Sequence, residues 1–342
     1  MSKIKVESKI IGRGAPCFIT VDIGANHNRD FNTALKLIDY AVKAGVDAVK
    51  FQVYSADTLY SKKVPKHSHY NKNFWKLIKK IEMPREWIPR LKSYCDKKKI
   101  IFFATPFDYA AVDELEPYVS IYKISSFELT DIPLVKYIAQ KRKPIIISTG
   151  LATMKEIEDA YSACIQENNH KIAFLHCASL YPAAPDIMNL RAMKTIEDAF
   201  DVPVGLSDHT RGTHIAVSAI ALGAKIIEKH FTLSRKMIGP DHSFAIEPAE
   251  LINMTSQMRD IESALGSGKK TGPHPEEMEN FRIGRRSIHA RIAIALGQRI
   301  TEEMLIVKRP GYGICPALIS NVIGKTAKRN IETDEWLTWK MV

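Results

Sequence analysis

Lysine and hydroxyl side chains lie at the ends of several short apolar segments of this sequence. These residues are Lys50, Thr105, Lys123, Ser125, Ser126, Ser148, Ser179 and Ser207. Phosphate and carboxylate oxygens are bound by ammonium groups and hydroxyl donors, so this composition suits an anionic ligand. One lysine at the end of a segment indicates little, whereas several at one opening predict an anion site.

Two histidines, His209 and His230, end neighbouring apolar segments late in the sequence. Adjacent parallel strands lie about 4.8 Å apart, so imidazoles at the same height can bind one metal ion. Two such ligands leave coordination positions open for water and substrate oxygens. The pair therefore predicts a catalytic metal ion. We expect His27, His176 and His242 to be ordinary hydrogen-bonded residues, with substrate contact left open for His27 and His242.

Lysines in such a site raise a second mechanism. A buried lysine with a lowered pKa can form a Schiff base with a carbonyl substrate. Lys50, Lys123 and Lys229 are the candidates. Because several cations accompany many hydroxyl groups, we expect anion binding, and the Schiff base is kept as an alternative.

Short β-branched or aromatic segments alternate with amphipathic segments of helical period, which predicts repeated strand–helix units. The predicted strands are Phe18–Gly24, Ala48–Val53, Ile100–Pro106, Ile121–Ser126, Pro144–Gly150, Ile172–Cys177, Pro203–His209 and Lys225–Phe231. The helices include Phe31–Ala44, Trp87–Lys98, Met154–Asn168, Leu190–Phe200, Thr213–Gly223 and Pro248–Leu265.

Eight such units over about 270 residues match an α/β fold, the (β/α)8 TIM barrel, whose active site lies at the carboxyl ends of the strands. The polar residues above are at those ends. An open doubly wound sheet is the competing architecture. It rarely has eight parallel strands, and no Gly-x-Gly-x-x-Gly turn follows the first predicted strand.

The sequence changes character near residue 271. Thr-Gly-Pro-His-Pro-Glu-Glu (271–277) has the composition of a linker. We predict a catalytic barrel over residues 1–270, a linker over 271–284 and a small β domain over 285–342. The last region is too small to be an independent enzyme, so its site is expected to be shared with the barrel.

The small domain contains three strand-like pieces, Ser287–Ile294, Met304–Val307 and Trp336–Val342. Two of its stretches resemble each other, Ala295–Val307 and Lys328–Lys340. Each passes from a turn through an acidic residue into a predicted strand. The repetition predicts a pseudo-symmetric β domain.

The composition limits the class of protein. Hydrophobic residues make up 45% and charged residues 25% of the 342 residues, as in globular proteins. No apolar run approaches the roughly 20 residues of a membrane helix, and the first residues lack a signal-peptide core. Five cysteines without a CxxC pair fit a reducing cytosol. The net charge of +11 comes from dispersed basic residues, so we expect a cytoplasmic protein that binds neither nucleic acid nor membrane.

From about residue 16 onward the sequence resembles the sialic acid synthase family, which includes the N-acetylneuraminate, legionaminate and pseudaminate synthases. Each matching segment is short, and their order along the predicted strands makes the resemblance specific. The segments are Asp-Ile-Gly-Ala-Asn-His-Asn (22–28), Val-Lys-Phe-Gln (49–52), Ala-Thr-Pro-Phe (104–107), Tyr-Lys-Ile-Ser-Ser-Phe-Glu (122–128), Ile-Ser-Thr-Gly (147–150), Gly-Leu-Ser-Asp-His-Thr (205–210), Glu-Lys-His-Phe (228–231), Gly-Pro-Asp-His (239–242) and Lys-Arg-Pro-Gly-Tyr-Gly (308–313). The C-terminal piece resembles the family's antifreeze-like SAF domain, a β-clip, which caps the barrel of the partner subunit.

The resemblance implies an enzyme that condenses phosphoenolpyruvate with N-acetylmannosamine or a related acylated amino sugar and releases phosphate. The implied phosphoenolpyruvate ligands are Lys50, Thr105, Lys123, Ser126, Ser148 and Ser207, with Ser179 where the family often has asparagine. The implied sugar ligands are Gln52, Tyr181, Glu228 and Asp241, and Arg309 of the other protomer of a domain-swapped homodimer. His209 and His230 would bind Mn²⁺, with Mg²⁺ or Co²⁺ as alternatives.

The implied catalytic residues are Glu128, Asp22, Lys50 and Lys123. In the implied mechanism the metal polarises the sugar aldehyde, the methylene carbon of phosphoenolpyruvate attacks it, and water adds at C2 before phosphate leaves. Glu128 or Asp22 would stabilise the cationic carbon or orient that water. The first strand of the family usually ends in glutamate, so Asp22 is a departure. Its shorter side chain shifts the carboxylate by roughly one methylene, which is enough to weaken a positioned base.

The subtype stays open. Segments 126–134, 285–287 and 309–313 resemble the pseudaminate branch, whereas Gly-Pro-Asp-His (239–242) and Leu-His-Cys (175–177) resemble the neuraminate and legionaminate branches, which we favour. A sugar phosphorylated at position 6 is a further possible substrate. Two other function classes are kept as alternatives: a Schiff-base aldolase, and a non-catalytic carbohydrate- or ice-binding protein suggested only by the C-terminal domain.

Overall fold

The computed structural model of the protein describes residues 3–63 and 74–342. The chain divides into two compact units, Met1–Gly266 and Ser267–Val342. Within the described ranges, no helix is both long and apolar enough to cross a membrane.

The first unit is a closed parallel barrel, which confirms the predicted (β/α)8 fold. An antiparallel hairpin, β1 (Ile4–Val6) and β2 (Lys9–Ile11), precedes it. The barrel strands are β3 (Phe18–Asp22), β4 (Ala48–Val53), β5 (Ile101–Pro106), β6 (Tyr122–Ile124), β7 (Ile145–Ser148), β8 (Ile172–Cys177), β9 (Val204–Asp208) and β10 (Ile226–His230). They pair in sequence order, and β10 closes the barrel on β3.

Helices follow the strands and cover the barrel. They are α1 (Phe31–Lys43), α2 (Ala56–Leu59), α3 (Phe74–Ile81), α4 (Trp87–Lys98), α5 (Tyr109–Leu115), α6 (Ile132–Gln140), α7 (Met154–Gln166), α8 (Ala192–Phe200), α9 (His214–Ala221) and α10 (Pro248–Leu265). Several begin at a side-chain cap. Asp30 accepts a hydrogen bond from the backbone N–H of Asn32, and Thr153 and Glu156 form a capping box. These caps fix where the loops from the strands end.

The register of the strands brings polar residues together at their carboxyl ends. Asp22 pairs with Lys50 on β4 and with His230 on β10. The strands are buried on both faces, as parallel strands under helices are, and β-branched residues such as Ile145–Ile147 fill them. Because the strands are buried and rigid, the charged side chains at their carboxyl ends are held in fixed positions.

The N-terminal hairpin packs at the amino end of the barrel, and the sequence patterns did not predict it. Ile4, Val6 and Ile11 are buried in the barrel core. Lys9 Nζ lies 2.7 Å from a carboxylate oxygen of Asp47, which directly precedes β4. Three-residue strands give too short an alternation to recognise in a sequence.

The second unit contains α11 (Met278–Gly284), α12 (Ile319–Val322) and the antiparallel strands β11 (Ser287–Ala290) and β12 (Leu305–Lys308). α11 lies within the segment predicted as a linker. The prediction of a strand over Trp336–Val342 is wrong: Trp336 makes one bridge to His289, and turns follow. Leu337, Met341 and Val342 are buried there while Trp339 is exposed, so a few separate anchor residues hold the segment without a strand.

The predicted repeat of strands in the second unit is also wrong. Only the first stretch continues into a strand, β12. Near the two stretches the backbone forms isolated bridges, between Ile294 and Ile331 and between Arg299 and Thr326, in each of which one partner lies just outside a stretch.

Candidate active site

The carboxyl ends of the barrel strands gather buried polar side chains. The buried side chains there are those of Asp22, Lys50, Thr105, Lys123, Ser148, Ser207, His209, Glu228 and His230. Burial of so many charges is costly unless they are paired and hydrogen-bonded, and such clusters mark functional sites. The contacts among them show how the charges are balanced.

Asp22 is held on the floor of the site by two side chains and one backbone amide. Its Oδ2 accepts hydrogen bonds from Lys50 Nζ (2.7 Å) and Gln52 Nε2 (2.8 Å), and its Oδ1 accepts one from Gly24 N (2.9 Å). Burial raises the pKa of Asp22, but the cationic Lys50 and nearby His230 outweigh burial and lower that pKa to about 2. Asp22 is therefore a weak proton acceptor near neutral pH, and it orients Lys50 and Gln52.

Glu228 lies between the two site lysines. Its carboxylate oxygens are 3.7 Å from Lys50 Nζ and 3.5 Å from Lys123 Nζ. Ser207 Oγ donates to the same carboxylate at 3.0 Å, and Lys123 Nζ donates to Ser148 Oγ at 2.7 Å. Burial raises the pKa of Glu228, but the two ammonium groups outweigh it and lower that pKa. Lys50 thus faces two carboxylates, Asp22 and Glu228, whereas Lys123 faces only Glu228 among the described residues. Lys123 therefore keeps the larger share of its charge for an incoming anion.

Ser126 and Ser179 meet at a thiol that the sequence analysis did not select. Cys177 Sγ lies 3.5 Å from Ser126 Oγ and 3.8 Å from Ser179 Oγ. Gly150 N donates to Ser126 Oγ at 3.0 Å. A Cβ on Gly150 would lie 2.2 Å from Ser179 Oγ and 2.8 Å from Cys177 Sγ, so only glycine fits there. The only local sign in the sequence that Cys177 belongs to the site was its position at the end of a predicted strand.

His209 and His230 lie side by side, as predicted, with ring centroids 5.3 Å apart. His209 Nδ1 donates to the carbonyl of Ala178 at 2.8 Å. The hydroxyl of Ser207, 3.5 Å from His209 Nε2, already donates to Glu228, so that nitrogen keeps its lone pair. The ring of Tyr181 packs on His209 at 4.4 Å between centroids.

The surroundings of His230 fit a divalent cation. Its Nδ1 is buried without a hydrogen-bond partner among the described residues and lies 3.5 Å from Asp241 Oδ2. Its Nε2 lies 3.6 Å from Asp22 Oδ2. Burial lowers the pKa of His230, but these two carboxylates outweigh burial and raise it. No set of three or more His, Cys, Asp or Glu side chains in the described ranges forms a metal cage, so the histidine pair would be the protein's contribution.

Glu128 is less buried than the members of this buried cluster, and Arg309 lies in the second unit. Glu128 follows β6, and its carboxylate accepts a hydrogen bond from Ser125 Oγ. Burial raises the pKa of Glu128 more than Ser125 and Lys123 lower it, so its pKa is raised overall. The pKa values of Asp22 and Glu228 are lowered overall. A carboxyl with a raised pKa is suited to proton transfer. Arg309 belongs to the second unit, where it is exposed.

The other three histidines considered in the sequence are hydrogen-bonded residues. Backbone N–H of Arg29 donates to His27 Nδ1 at 2.9 Å, and burial lowers the pKa of His27 to about 4. His176 Nε2 lies 2.7 Å from the carbonyl of Met188. His242 is fully buried, with both ring nitrogens in hydrogen bonds.

Lys229 points away from the site. Side chains alternate along a strand, so Lys229 faces opposite to Glu228 and His230. Its Nζ donates to Asp208 Oδ2 at 2.6 Å and to the carbonyl of Thr210 at 2.8 Å. Both partners of this ion pair are buried. Of the three lysines considered for a Schiff base, Lys229 is therefore excluded.

The Lys229–Asp208 pair makes a stability prediction. We expect Asp208→Ala to lower the free energy of unfolding by about 3–5 kcal/mol, because it leaves a buried ammonium without a counter-charge. The matched control is Asp198→Ala, which breaks the exposed pair with Lys194 on α8 and should change little. Denaturant unfolding followed by circular dichroism measures both. Equal stability of the two variants would contradict the prediction.

Comparison with known proteins is consistent with this geometry. Residues 37–270 match the NeuB family model and residues 285–342 match the SAF domain model. The chain is 40% identical over 326 residues to N,N'-diacetyllegionaminic acid synthase of Campylobacter jejuni (93% of this chain, 97% of that protein). It is 37% identical over 342 residues to the enzyme of that name from Legionella pneumophila (97% and 96%). N-acetylneuraminic acid synthetase from Leptospira borgpetersenii, solved with citrate, superposes with a TM-score of 0.74 at 35% identity (82% of this chain, 95% of that chain). This chain therefore belongs to the NeuB family and carries a C-terminal SAF domain.

Proposed function

We propose that the protein is a nonulosonic acid synthase that condenses phosphoenolpyruvate with N-acetylmannosamine or a related acylated amino sugar and releases phosphate. The observation that carries this proposal is the position of Lys50 and Lys123, with their hydroxyl neighbours, beside the His209–His230 pair in one barrel mouth. An anion site next to a cation site suits a reaction between a phosphorylated enol and an aldehyde.

The lysines and hydroxyl groups would bind phosphoenolpyruvate. Lys50 Nζ lies 3.5 Å from Thr105 Oγ1, and Lys123 bonds to Ser148, so each ammonium already faces a hydroxyl donor. Together with Ser126, Ser179 and Ser207, they offer point charges and hydroxyl hydrogens for phosphate and carboxylate oxygens. Glu228 keeps the two lysines oriented before the anion arrives.

The sugar would lie on the other side of the mouth. Gln52, Tyr181, Glu228 and Asp241 would bind it. A divalent cation, for which Mn²⁺ is the first choice and Mg²⁺ or Co²⁺ the alternatives, would be held by His209 and His230 and would polarise the sugar's aldehyde when bound.

The chain's own residues would handle the later steps. After C3 of phosphoenolpyruvate has bonded to the aldehyde carbon, water adds at C2 and the C2–O bond to phosphate breaks. Glu128, whose pKa is raised by burial, would accept a proton from that water. Asp22 would orient Lys50 and Gln52 rather than exchange protons, since its pKa is low. This assigns the shortened carboxylate at the end of β3 a positioning role.

We favour a legionaminate or neuraminate type of product over a pseudaminate one. Of the three similar proteins named above, two are legionaminic acid synthases and one is an N-acetylneuraminic acid synthetase. The segment Gly-Pro-Asp-His (239–242) lies beside His230 through Asp241, where the sugar would be bound. A panel of substrates would determine which acyl groups the sugar carries and whether it is phosphorylated.

The test of the function is release of inorganic phosphate from phosphoenolpyruvate, measured with a panel of acylated amino sugars, free and phosphorylated. We expect release only when phosphoenolpyruvate and a matching sugar are both present, with one nonulosonic acid formed per phosphate. Trapping of a lysine adduct by borohydride with substrate would favour the Schiff-base aldolase, for which Lys123, whose pKa burial lowers, is the best candidate.

The anion site makes a kinetic prediction. We expect Lys50→Ala and Lys123→Ala each to raise the KM for phosphoenolpyruvate by roughly ten-fold or more, because a charge-assisted hydrogen bond to phosphate is worth about 1.5–3 kcal/mol. The KM for the sugar should change much less. Steady-state kinetics with each substrate varied in turn measures the effect. Equal loss toward both substrates, with a lowered melting temperature, would indicate a structural role.

A homodimer in which the SAF domain of one subunit covers the barrel of the other is the second part of the proposal. Apolar side chains stand exposed on the loops after β6, β7 and β8: Phe127, Leu151, Leu180 and Tyr181. Leu151 is 74% exposed, which is unfavourable beside a polar site unless something covers it. Arg309, also exposed, would reach the sugar's N-acyl group in the partner's site.

A further inference from the structure

The loop after β10, residues 231–247, brings Asp241 to His230. Both of its ends are fixed at the barrel. Thr232 N donates to the carbonyl of Ile246, and Ile246 N donates to the carbonyl of His230, each at 3.0 Å. The tip of the loop lies in solvent, where Ile238 is 93% exposed. Something inside the loop must therefore hold Asp241 in place.

His242 makes that internal contact. Its Nδ1 lies 2.6 Å from Thr232 Oγ1 and its Nε2 lies 3.1 Å from Asn28 Oδ1. Asn28 Nδ2 donates to the carbonyl of Ile238 at 3.1 Å, so the oxygen of its amide faces the imidazole. The ring accordingly donates from Nε2 to Asn28, which leaves Nδ1 as an acceptor. The hydroxyl of Thr232 lies between that nitrogen at 2.6 Å and the carbonyl of Ser234 at 3.2 Å, and the shorter contact favours donation to the ring. Burial lowers the pKa of His242, in agreement with this neutral form.

The backbone of the loop lies directly against the ring. A Cβ on Gly239 would lie 2.6 Å from His242 Cδ2 and 3.1 Å from Asn28 Oδ1, so no other residue fits at position 239 without displacing the histidine. Pro240 follows and fixes one backbone angle. We call His242, Asn28, Thr232 and Gly239 the His242 cluster. It ties the tip of the loop to its base and to the loop after β3.

Asp241 is the residue placed by this arrangement. Its Oδ2 lies 3.5 Å from His230 Nδ1. A Cβ on Gly24 would lie 3.1 Å from the same oxygen and 3.3 Å from Gln52 Nε2, so the carboxylate and the amide flank bare backbone. Only glycine leaves the two groups this close to the backbone. Asp241 and Gln52 are half-buried, so each still has a part that a polar ligand group can reach.

We propose that His242 is a positioning residue for sugar recognition: by its hydrogen bonds to Asn28 and Thr232 it holds Asp241 over Gly24. This proposal rests on the proposed synthase function, which supplies the amino sugar as the substrate. Both ring nitrogens are occupied, so His242 acts through Asp241 and does not touch the sugar. Loss of the imidazole allows the loop tip to move, so the carboxylate of Asp241 no longer holds one position. This weakens sugar binding and leaves the phosphoenolpyruvate site intact.

Kinetics and amide hydrogen exchange together test this. We expect His242→Ala to raise the KM for the sugar by roughly ten-fold while the KM for phosphoenolpyruvate stays within about two-fold. His242→Gln should recover most of the sugar KM, because its amide N–H can reach Asn28. Exchange in loop peptides between residues 233 and 245 should rise in His242→Ala and fall back in His242→Gln. Asn28→Gly, which tolerates the positive φ of 50° at that position, should not add to His242→Ala.

The control is His176→Ala, which removes a half-buried imidazole and its hydrogen bond to Met188. It should leave exchange in the loop and both KM values unchanged. Unchanged loop exchange in His242→Ala would overturn the proposal. Raised exchange with an unchanged sugar KM would also overturn it, because the loop would then not position a sugar ligand. Wild-type protein that is inactive with every sugar would overturn the proposed function, whereas the exchange experiment tests the His242 cluster without any substrate.

Discussion

Removal of divalent metal by a chelator is expected to abolish phosphate release, and Mn²⁺, Mg²⁺ or Co²⁺ should restore it. His209 Nε2 keeps its lone pair, and His230 Nδ1 has no hydrogen-bond partner within residues 3–63 and 74–342, so each histidine has a ring nitrogen that a cation could bind. Lewis-acid stabilisation is worth several kcal/mol, which corresponds to a loss of at least about a hundred-fold in rate. The phosphate assay before and after chelator dialysis measures the loss.

The histidine variants separate metal binding from general damage. His209→Ala and His230→Ala should lower the metal content found by elemental analysis, whereas His176→Ala, on a neighbouring strand, should leave it unchanged. Full activity after exhaustive dialysis, with no metal detected, would contradict metal dependence. In that case the Nδ1 atom of His230 would need a different partner, such as a bound water.

A mixture of Arg309→Ala and His209→Ala proteins is expected to regain activity that neither variant has alone. If the SAF domain completes the partner's site, a mixed dimer has one site with an intact barrel and an intact arginine. Random exchange would yield about one quarter of the wild-type activity, since half the dimers are mixed and each has one working site of two. Phosphate release measured after subunit exchange gives the result.

Two controls make the mixing experiment decisive. Arg291→Ala changes another exposed arginine of the same unit and should keep full activity. Truncation after Gly272 should leave a folded barrel that has lost most of its activity. A mixture that stays inactive after exchange has been demonstrated would show that Arg309 acts within its own chain or has no role in the site.

The barrel was predictable because its signals are local. Each strand is a short apolar run, and each helix has its own period and caps, as at Asp30 and Thr153. The ends of Ala48–Val53, Ile172–Cys177 and Trp87–Lys98 agree with the sequence pattern to the residue. The second unit was less predictable, because its isolated bridges join residues such as Ile294 and Ile331 across long loops.

The sequence by itself determined which residues stand at the strand ends, and therefore that His209, His230, Lys50 and Lys123 share one mouth. Even the outward direction of Lys229 was implicit in the period-two alternation of its strand. Only the tertiary structure decided which charges pair. Cys177 meets Ser126, 51 residues away, and His242 meets Asn28, 214 residues away, through contacts that no local pattern encodes. Such pairs depend on how strands and loops from distant parts of the chain close around one point, and that closure is set by the packing of the whole barrel.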